Sequence, residues 1–159
     1  MSRRRVQSES QLTLYIDGDA FPNLLKPIVL RAVEKRQIPT LIVANKRVSI
    51  GKSEWVELEI VEEGADRADD RIVELAEPGD LVITADIPLA DRLVSRGVTA
   101  LDHRGILYTE ENIKQLLAMR NLMEEIRSMG EITGGPKPFG NKDAHAFANA
   151  FNAFLSRRG

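Results

Sequence analysis

Carboxylates placed at the ends of apolar runs carry the chemistry available to this chain. Leu14-Tyr15-Ile16-Asp17-Gly18-Asp19-Ala20 is apolar until Asp17, so it reads as a buried strand that stops at its first acid. Asp80-Leu81-Val82-Ile83-Thr84-Ala85-Asp86 repeats the arrangement and delivers Asp86 at the end of a second apolar run. In open α/β sheets the ligand crevice lies beyond the carboxyl ends of the strands, so both acids are expected on one rim. Asn45 and Asp102 also follow strand-like runs, while Asp66, Asp69 and Asp70 open a helical stretch. Acids gathered in this way repel, raise one another's pKa and resist joint ionisation unless a cation is bound.

The chain has no cysteine and two histidines, His103 and His145, so any metal must be held by oxygen. An oxygen-only set suits Mg²⁺ or Mn²⁺, with a few carboxylates and retained waters. Such an ion activates water and neutralises charge on a phosphoryl oxygen. The expected ligands are Asp17, Asp86 and one or both of Asp69 and Asp70, with Asp91 as a further ligand. Asp19, Asn45, Asp66 and Asp102 are expected to support them or to touch substrate.

Each of these residues also has a purely structural use. Asp66 can cap a helix, with Asp69 favoured by the helix dipole three residues on. Asp19 suits a turn beside Gly18. Asp91 can be an exposed helix charge near Arg92, and Asp102 can pair with Arg104. A carboxylate directly after a buried strand is costly unless something uses it, which favours function for Asp17 and Asp86.

Basic residues cluster in Asn45-Lys46-Arg47-Val48-Ser49-Ile50-Gly51-Lys52-Ser53, where Lys46, Arg47 and Lys52 could grip phosphate or simply be solvated. Gly51-Lys52-Ser53 is not a P-loop, which needs glycine five positions before Gly51, where Lys46 stands. Thr133-Gly134-Gly135-Pro136-Lys137-Pro138-Phe139 could offer backbone amides and Lys137 to a phosphate. His103 and His145 have no visible partner, so surface or capping roles are expected for them.

The elements that must position these groups follow from periodicity. Leu12 to Asp17 is a strand, and Pro22 to Arg36 a helix with its prolines in the first turns. Thr40 to Ala44 is a buried strand, and Trp55 to Val61 a strand with one solvated face, because Val56, Leu58 and Ile60 alternate with Glu57 and Glu59. Asp66 to Ala76 is helical until Pro78-Gly79. The Asp86 strand follows, then a helix from Pro88 to Arg96 and a last parallel strand from Val98 to Leu101. A long helix runs from Thr109 as cap to Met129, with core packing as its main use and a dimer face as the alternative. After a loop from Gly130 to Gly140, a closing helix from Asp143 to Ser156 carries Phe147, Phe151 and Phe154 onto the body. The order β-α-β-β-α-β-α-β predicts an α/β three-layer sandwich with a mainly parallel central sheet.

At 159 residues one domain is expected over 12–159, behind a flexible polar tail over 1–11. A chain of this size buries roughly two-thirds of the surface it exposes when unfolded. Arg3-Arg4-Arg5 has no apolar run behind it, and no stretch reaches the roughly 20 apolar residues of a membrane span. A cytoplasmic protein without membrane association is therefore expected. A net charge of −2 leaves a nucleic-acid partner open, since local basic segments can still hold phosphates.

Five motifs in order are shared with one family: Asp17-Gly18-Asp19-Ala20, Gly64-Ala65-Asp66-Arg67-Ala68-Asp69-Asp70, Thr84-Ala85-Asp86-Ile87-Pro88-Leu89-Ala90, Leu101-Asp102-His103-Arg104-Gly105 and Ile132-Thr133-Gly134-Gly135-Pro136-Lys137-Pro138-Phe139. On these the chain resembles the bacterial YaiI/YqxD family, nearly throughout from Leu12 onward. That family is similar in turn to the PIN-like superfamily, mostly metal-dependent ribonucleases with three or four acids around Mg²⁺ or Mn²⁺. The resemblance implies a PIN-like sandwich and places the acids on Asp17, on Asp69 or Asp70, and on Asp86, with Asp91 as a fourth. Phe21 stands where many relatives have cysteine, and His103 where proline is usual.

The leading expectation is a Mg²⁺- or Mn²⁺-dependent phosphodiesterase acting on RNA in preference to DNA. A non-catalytic RNA- or protein-binding module is the alternative. A phosphatase with Asp17 as nucleophile and Asp19 as acid ranks last, because the later lysine and acidic pair such an enzyme needs are poorly ordered here.

Overall fold

The computed structural model describes residues 12–64, 66–130 and 137–158. The expected tail over 1–11 and the Thr133 to Pro136 part of the glycine-rich loop lie outside the described residues.

The strands are β1 (Leu14–Asp17), β2 (Thr40–Ala44), β3 (Val56–Ile60), β4 (Leu81–Ile83), β5 (Thr99–Leu101) and β6 (Leu107–Tyr108). The helices are α1 (Lys26–Arg36), α2 (Arg67–Leu75), α3 (Ile87–Ser95), α4 (Ile113–Ser128) and α5 (Asn141–Arg158), with a 3-10 turn over Asn23–Leu25 leading into α1. One sheet runs in the order β3-β2-β1-β4-β5-β6. It is parallel except for β6, which pairs antiparallel with β5 and is not expected from the sequence. At two residues β6 is too short for alternation to show.

Strand alternation divides the core into two layers. Leu14 and Ile16 of β1, Ile42 of β2 and Leu81 and Ile83 of β4 face Val29 and Val33 of α1 and Phe147, Phe151 and Phe154 of α5. Tyr15, Leu41, Val43 and Val82 face Ile72 of α2 and Leu89 and Leu93 of α3 on the other side. The result is the expected three-layer α/β sandwich, with α5 completing one face through its phenylalanines. Their burial is total at Phe147 and Phe151, worth about 3 kcal/mol or more each against truncation to alanine.

Two expectations for the helices change in detail. α4 begins at Ile113, four residues after Thr109, because Thr109 and Asn112 cap each other: the Asn112 N–H donates to Thr109 Oγ1 (3.1 Å) and the Thr109 N–H to Asn112 Oδ1 (2.9 Å). Ile113 alone is buried in that helix, and Met119, Leu122 and Met129 lie exposed, so core packing uses only its first turns.

The loop between β2 and β3 has to travel back along the sheet, since two adjacent parallel strands are joined here without a helix. It does so over α1. The Gly51 Cα lies against the Leu30 side chain, Ser53 Oγ bonds Glu34, and the Trp55 carbonyl accepts the Thr40 N–H at the start of β2 (2.8 Å).

Beyond β5, Gly105 has φ +93°, and a Cβ there would come within 2.6 Å of the Ala146 carbonyl oxygen on α5. Glycine is thus required twice, by conformation and by the approach of α5. Gly105→Ala is expected to cost well over about 1 kcal/mol, seen as a lower urea midpoint. Gly140→Ala, where a Cβ meets nothing within 4 Å, is expected to leave the midpoint nearly unchanged.

Candidate active site

β1 is the point at which the chain order reverses. From β1 the sheet grows one way through β2 and β3, and the other way through β4 and β5. α1 packs on one face, whereas α2 and α3 pack on the other. Connections leaving the carboxyl ends of β1 and β4 therefore part to opposite sides and open a crevice between them. Asp17 is the last residue of β1, and Asp86 follows β4 by three residues.

A cavity of about 360 Å³ occupies that crevice, lined by Asp17, Asp19, Ala20, Asp66, Asp69, Ala85, Asp86 and His103. Five carboxyl groups from three connections share it. Asp17 is 9 % exposed, and its Oδ2 accepts the Thr84 hydroxyl at 2.8 Å. The same Thr84 Oγ1 accepts the Asp86 N–H at 3.0 Å, so one hydroxyl ties the two strand ends together. Asp86 caps α3 by accepting the Leu89 N–H at 3.0 Å. Asp19 Oδ1 accepts the Asn45 N–H at 3.2 Å and anchors the end of β2. Asp66 holds the cap position of α2 in a left-handed conformation (φ +65°) and makes no side-chain cap bond.

The electrostatics bear the mark of crowding. Burial, then the negative charges of Asp19 and Asp86, raise Asp17 from 3.8 to about 6 against the opposing Thr84 bond. Asp69 is raised to about 7 by burial and by Asp86, Asp17 and Asp66, with Arg92 pulling the other way.

Of the adjacent pair, Asp69 faces the cavity. Asp70 turns outward to Arg92 (2.9 Å), because consecutive helix residues point about 100° apart. Asp91 does not line the cavity; it pairs with Lys114 of α4 at 2.9 Å. Asp102 is buried beside it, accepting the Arg104 N–H (2.8 Å) and the Tyr108 hydroxyl (3.3 Å), and so shapes the β5–β6 turn. Asn45 enters through its backbone. Among the basic residues, Lys46 stays next to Asn45 at the rim, whereas Arg47 lines a separate cavity of about 200 Å³ with Ile50, Val56 and Leu58. Lys52 is carried along α1 toward the opposite end of the sheet, between Gly51 on Leu30 and Ser53 on Glu34. The Lys137 carbonyl accepts from Arg104 (2.9 Å), which also pairs with Asp143 (2.8 Å).

Two residues of this site escape the sequence reading. Thr84 is visible there only as the residue two before Asp86, and its bond to Asp17 spans 67 residues. His103, expected at the surface, is 8 % exposed and forms part of the cavity wall. Burial holds its pKa below the ordinary value, so the ring is neutral near neutral pH.

A match over residues 15–157 to the DUF188 family model, described as "Uncharacterized BCR, YaiI/YqxD family", covers this whole framework. The chain belongs to the YaiI/YqxD family. It is 66 % identical over 146 residues to a UPF0178 protein of Sulfurovum sp. (strain NBC37-1), covering 92 % of this chain and 99 % of that one. A UPF0178 protein of Sulfurimonas denitrificans is 60 % identical, over 92 % of this chain and 97 % of its own. One of Marinomonas sp. (strain MWYL1) is 48 % identical, over 92 % and 99 %. No solved structure matches the chain. Among the described residues no helix is long and apolar enough to cross a membrane.

The raised acids make stability depend on pH. Because the folded carboxyls bind protons more tightly than the unfolded chain's, stability is greatest below about pH 4 as far as these groups go. It falls as pH rises through about 6 and 7. Asp69→Asn is therefore expected to raise Tm at pH 7.5 relative to wild type and to lose that advantage at pH 4.5, read by thermal melts. Thr84→Val removes the bond that lowers Asp17, so Asp17 is expected to titrate higher still, read by ¹³C NMR of its carboxyl.

Proposed function

We propose that the chain is a Mg²⁺- or Mn²⁺-dependent phosphodiesterase acting on RNA. The observation that carries this reading is the meeting of Asp17, Asp69 and Asp86, from β1, α2 and the β4–α3 connection, around one cavity. Their oxygens are hard donors and nothing softer lines the cavity apart from one imidazole, which fits a hard divalent ion with retained waters. Among the described residues no three acidic or imidazole side chains stand close enough to grip an ion as they are. Bare carboxylates crowded in this way resist joint ionisation, in keeping with the raised pKa values of Asp17 and Asp69.

When bound, a cation neutralises charge on the phosphate and lowers the pKa of a coordinated water. Asp17, Asp69 and Asp86 would hold it. Thr84 keeps Asp17 oriented and partly ionised. Asp19 and Asp66 stand at the wall for retained waters. Lys46, next in the chain to Asn45, whose N–H bonds the cavity residue Asp19, would meet the backbone of a nucleic acid. The resemblance to PIN-like nucleases that the sequence motifs imply points to the same activity.

The test is cleavage of labelled single-stranded and structured RNA in Mg²⁺, Mn²⁺ or chelator. Asp17→Asn and Asp86→Asn are expected to reduce the rate by more than about 100-fold, beyond the usual effect of removing an outer-shell partner. Asp70→Asn and Asp91→Asn are expected to stay within a fewfold of wild type, because their ion pairs lie outside the cavity. Equal loss in all four would remove the assignment of Asp17, Asp69 and Asp86 as ligands. Metal-dependent RNA binding without any cut would favour a binding module on the same fold.

A further inference from the structure

The sheet closes unequally at its two edges. One ends in β6, two residues long, and a strand that short leaves little edge to pair with. The other ends in β3, five residues without proline or glycine, and among the described residues no strand lies beyond it. The Thr40 N–H donates to the Trp55 carbonyl and the Val61 N–H to the Ala44 carbonyl, which turns the odd-numbered backbone groups of β3 toward β2. Those of Leu58 and Ile60 therefore face the open side. Next to this edge lies the cavity of about 200 Å³ between β3 and the β2–β3 loop, with Ile42, Val48, Ile50, Val56 and Leu58 as its apolar wall. Arg47 lines it too, exposed and without an ion pair among the described residues. None of these residues lines the acidic crevice.

We propose that the β3 edge and this cavity form a docking site for an extended segment of another protein, one with an aliphatic residue two positions from an acidic residue. The site stands apart from the phosphodiesterase reading and does not depend on it. A segment added to a sheet edge gains affinity from main-chain hydrogen bonds and specificity from pockets that take alternate side chains. With the segment paired to Leu58 and Ile60, one aliphatic side chain enters the cavity. There is room for it, since an apolar cavity of about 150 Å³ already holds a benzene ring. The side chain two positions away shares that face, about 7 Å along the strand, and an acidic group there meets the unpaired charge of Arg47. The residue between them falls on the face of Glu57 and Glu59, where a further carboxylate is disfavoured. The same two glutamates argue against a second copy of this chain as the occupant. In an antiparallel pair of β3 strands, every register that overlaps most of the strand sets two glutamates opposite each other, Glu57 against Glu59 when Leu58 is central.

The experiment selects a display library of random nine-residue peptides on the full chain. Recovered sequences are expected to share an aliphatic residue and an aspartate or glutamate two positions apart. One of them, synthesised and titrated into ¹⁵N-labelled chain, is expected to move the Leu58 and Ile60 amide resonances. Arg47→Glu is expected to weaken that peptide about tenfold and, in a repeated selection, to turn the acidic preference basic. Ile60→Pro deletes an N–H that the β2–β3 ladder does not use and a side chain that is 49 % exposed. Its thermal melt is therefore expected to stay cooperative, while peptide affinity falls about tenfold. N-methylating alternate residues of the peptide tests the same bonds in the wild-type chain, and one of the two alternating sets is expected to abolish binding. Recovered peptides without the spacing, or with equal affinity for wild type and Arg47→Glu, would overturn the inference, as would tolerance of both N-methylated sets. Self-association of the wild-type chain that Ile60→Pro abolishes would also overturn it, by giving the edge to a second copy.

Discussion

The hydroxyl of Thr84 joins the two strand ends on which the site depends. It donates to Asp17 at the end of β1 and accepts from the Asp86 N–H beyond β4, at the place where the sheet's connections part to opposite faces. Without such a tie, two acids brought together at a buried rim would be driven apart by their own charge and by the loss of water. With it, the sheet can hold Asp17 nine-tenths buried and still leave one carboxylate oxygen free of the Thr84 bond. The raised pKa values of Asp17 and Asp69 measure the residual conflict.

The remainder of the molecule can be understood as support for that arrangement. Gly18 follows Asp17 because a Cβ there would meet Ile42 Cγ2 at 2.8 Å, so the chain can turn away immediately after the acid only where no side chain stands. Asp19 then ties the turn to the end of β2. On the far side, Arg104 pairs with Asp143, lies over the Phe139 ring (5.3 Å from its centroid) and holds the Lys137 carbonyl, which fixes α5 beside the turn that carries His103. α5 thus does more than fill a layer with its phenylalanines. Through Asp143 in its first turn it holds Arg104, the chain neighbour of the cavity residue His103.

Electrostatic crowding and packing also sort the acids by use. Asp70, Asp91 and Asp143 find cationic partners at Arg92, Lys114 and Arg104, and Asp102 is taken up by a turn. Asp17, Asp66, Asp69 and Asp86 have no ion pair among the described residues and converge on one space. That contrast between compensated and uncompensated carboxylates distinguishes the candidate site more sharply than the number of acids does.

Much of this is legible in the residues themselves. The apolar runs before Asp17 and Asp86, the alternation of β3, the proline and glycine boundaries and the phenylalanine spacing of α5 are local patterns. Local patterns fix strands, helices and the ends at which acids must appear. The choice of Asp69 over Asp70, the bond from Thr84, the return of the basic loop over α1 and the burial of His103 against Phe21 are decided only by tertiary structure. Each depends on groups brought together from separate elements, and Thr84 lies 67 residues from the acid it orients. Sequence periodicity says which face a residue presents, whereas the direction of each connection across the sheet decides which other residues that face will meet.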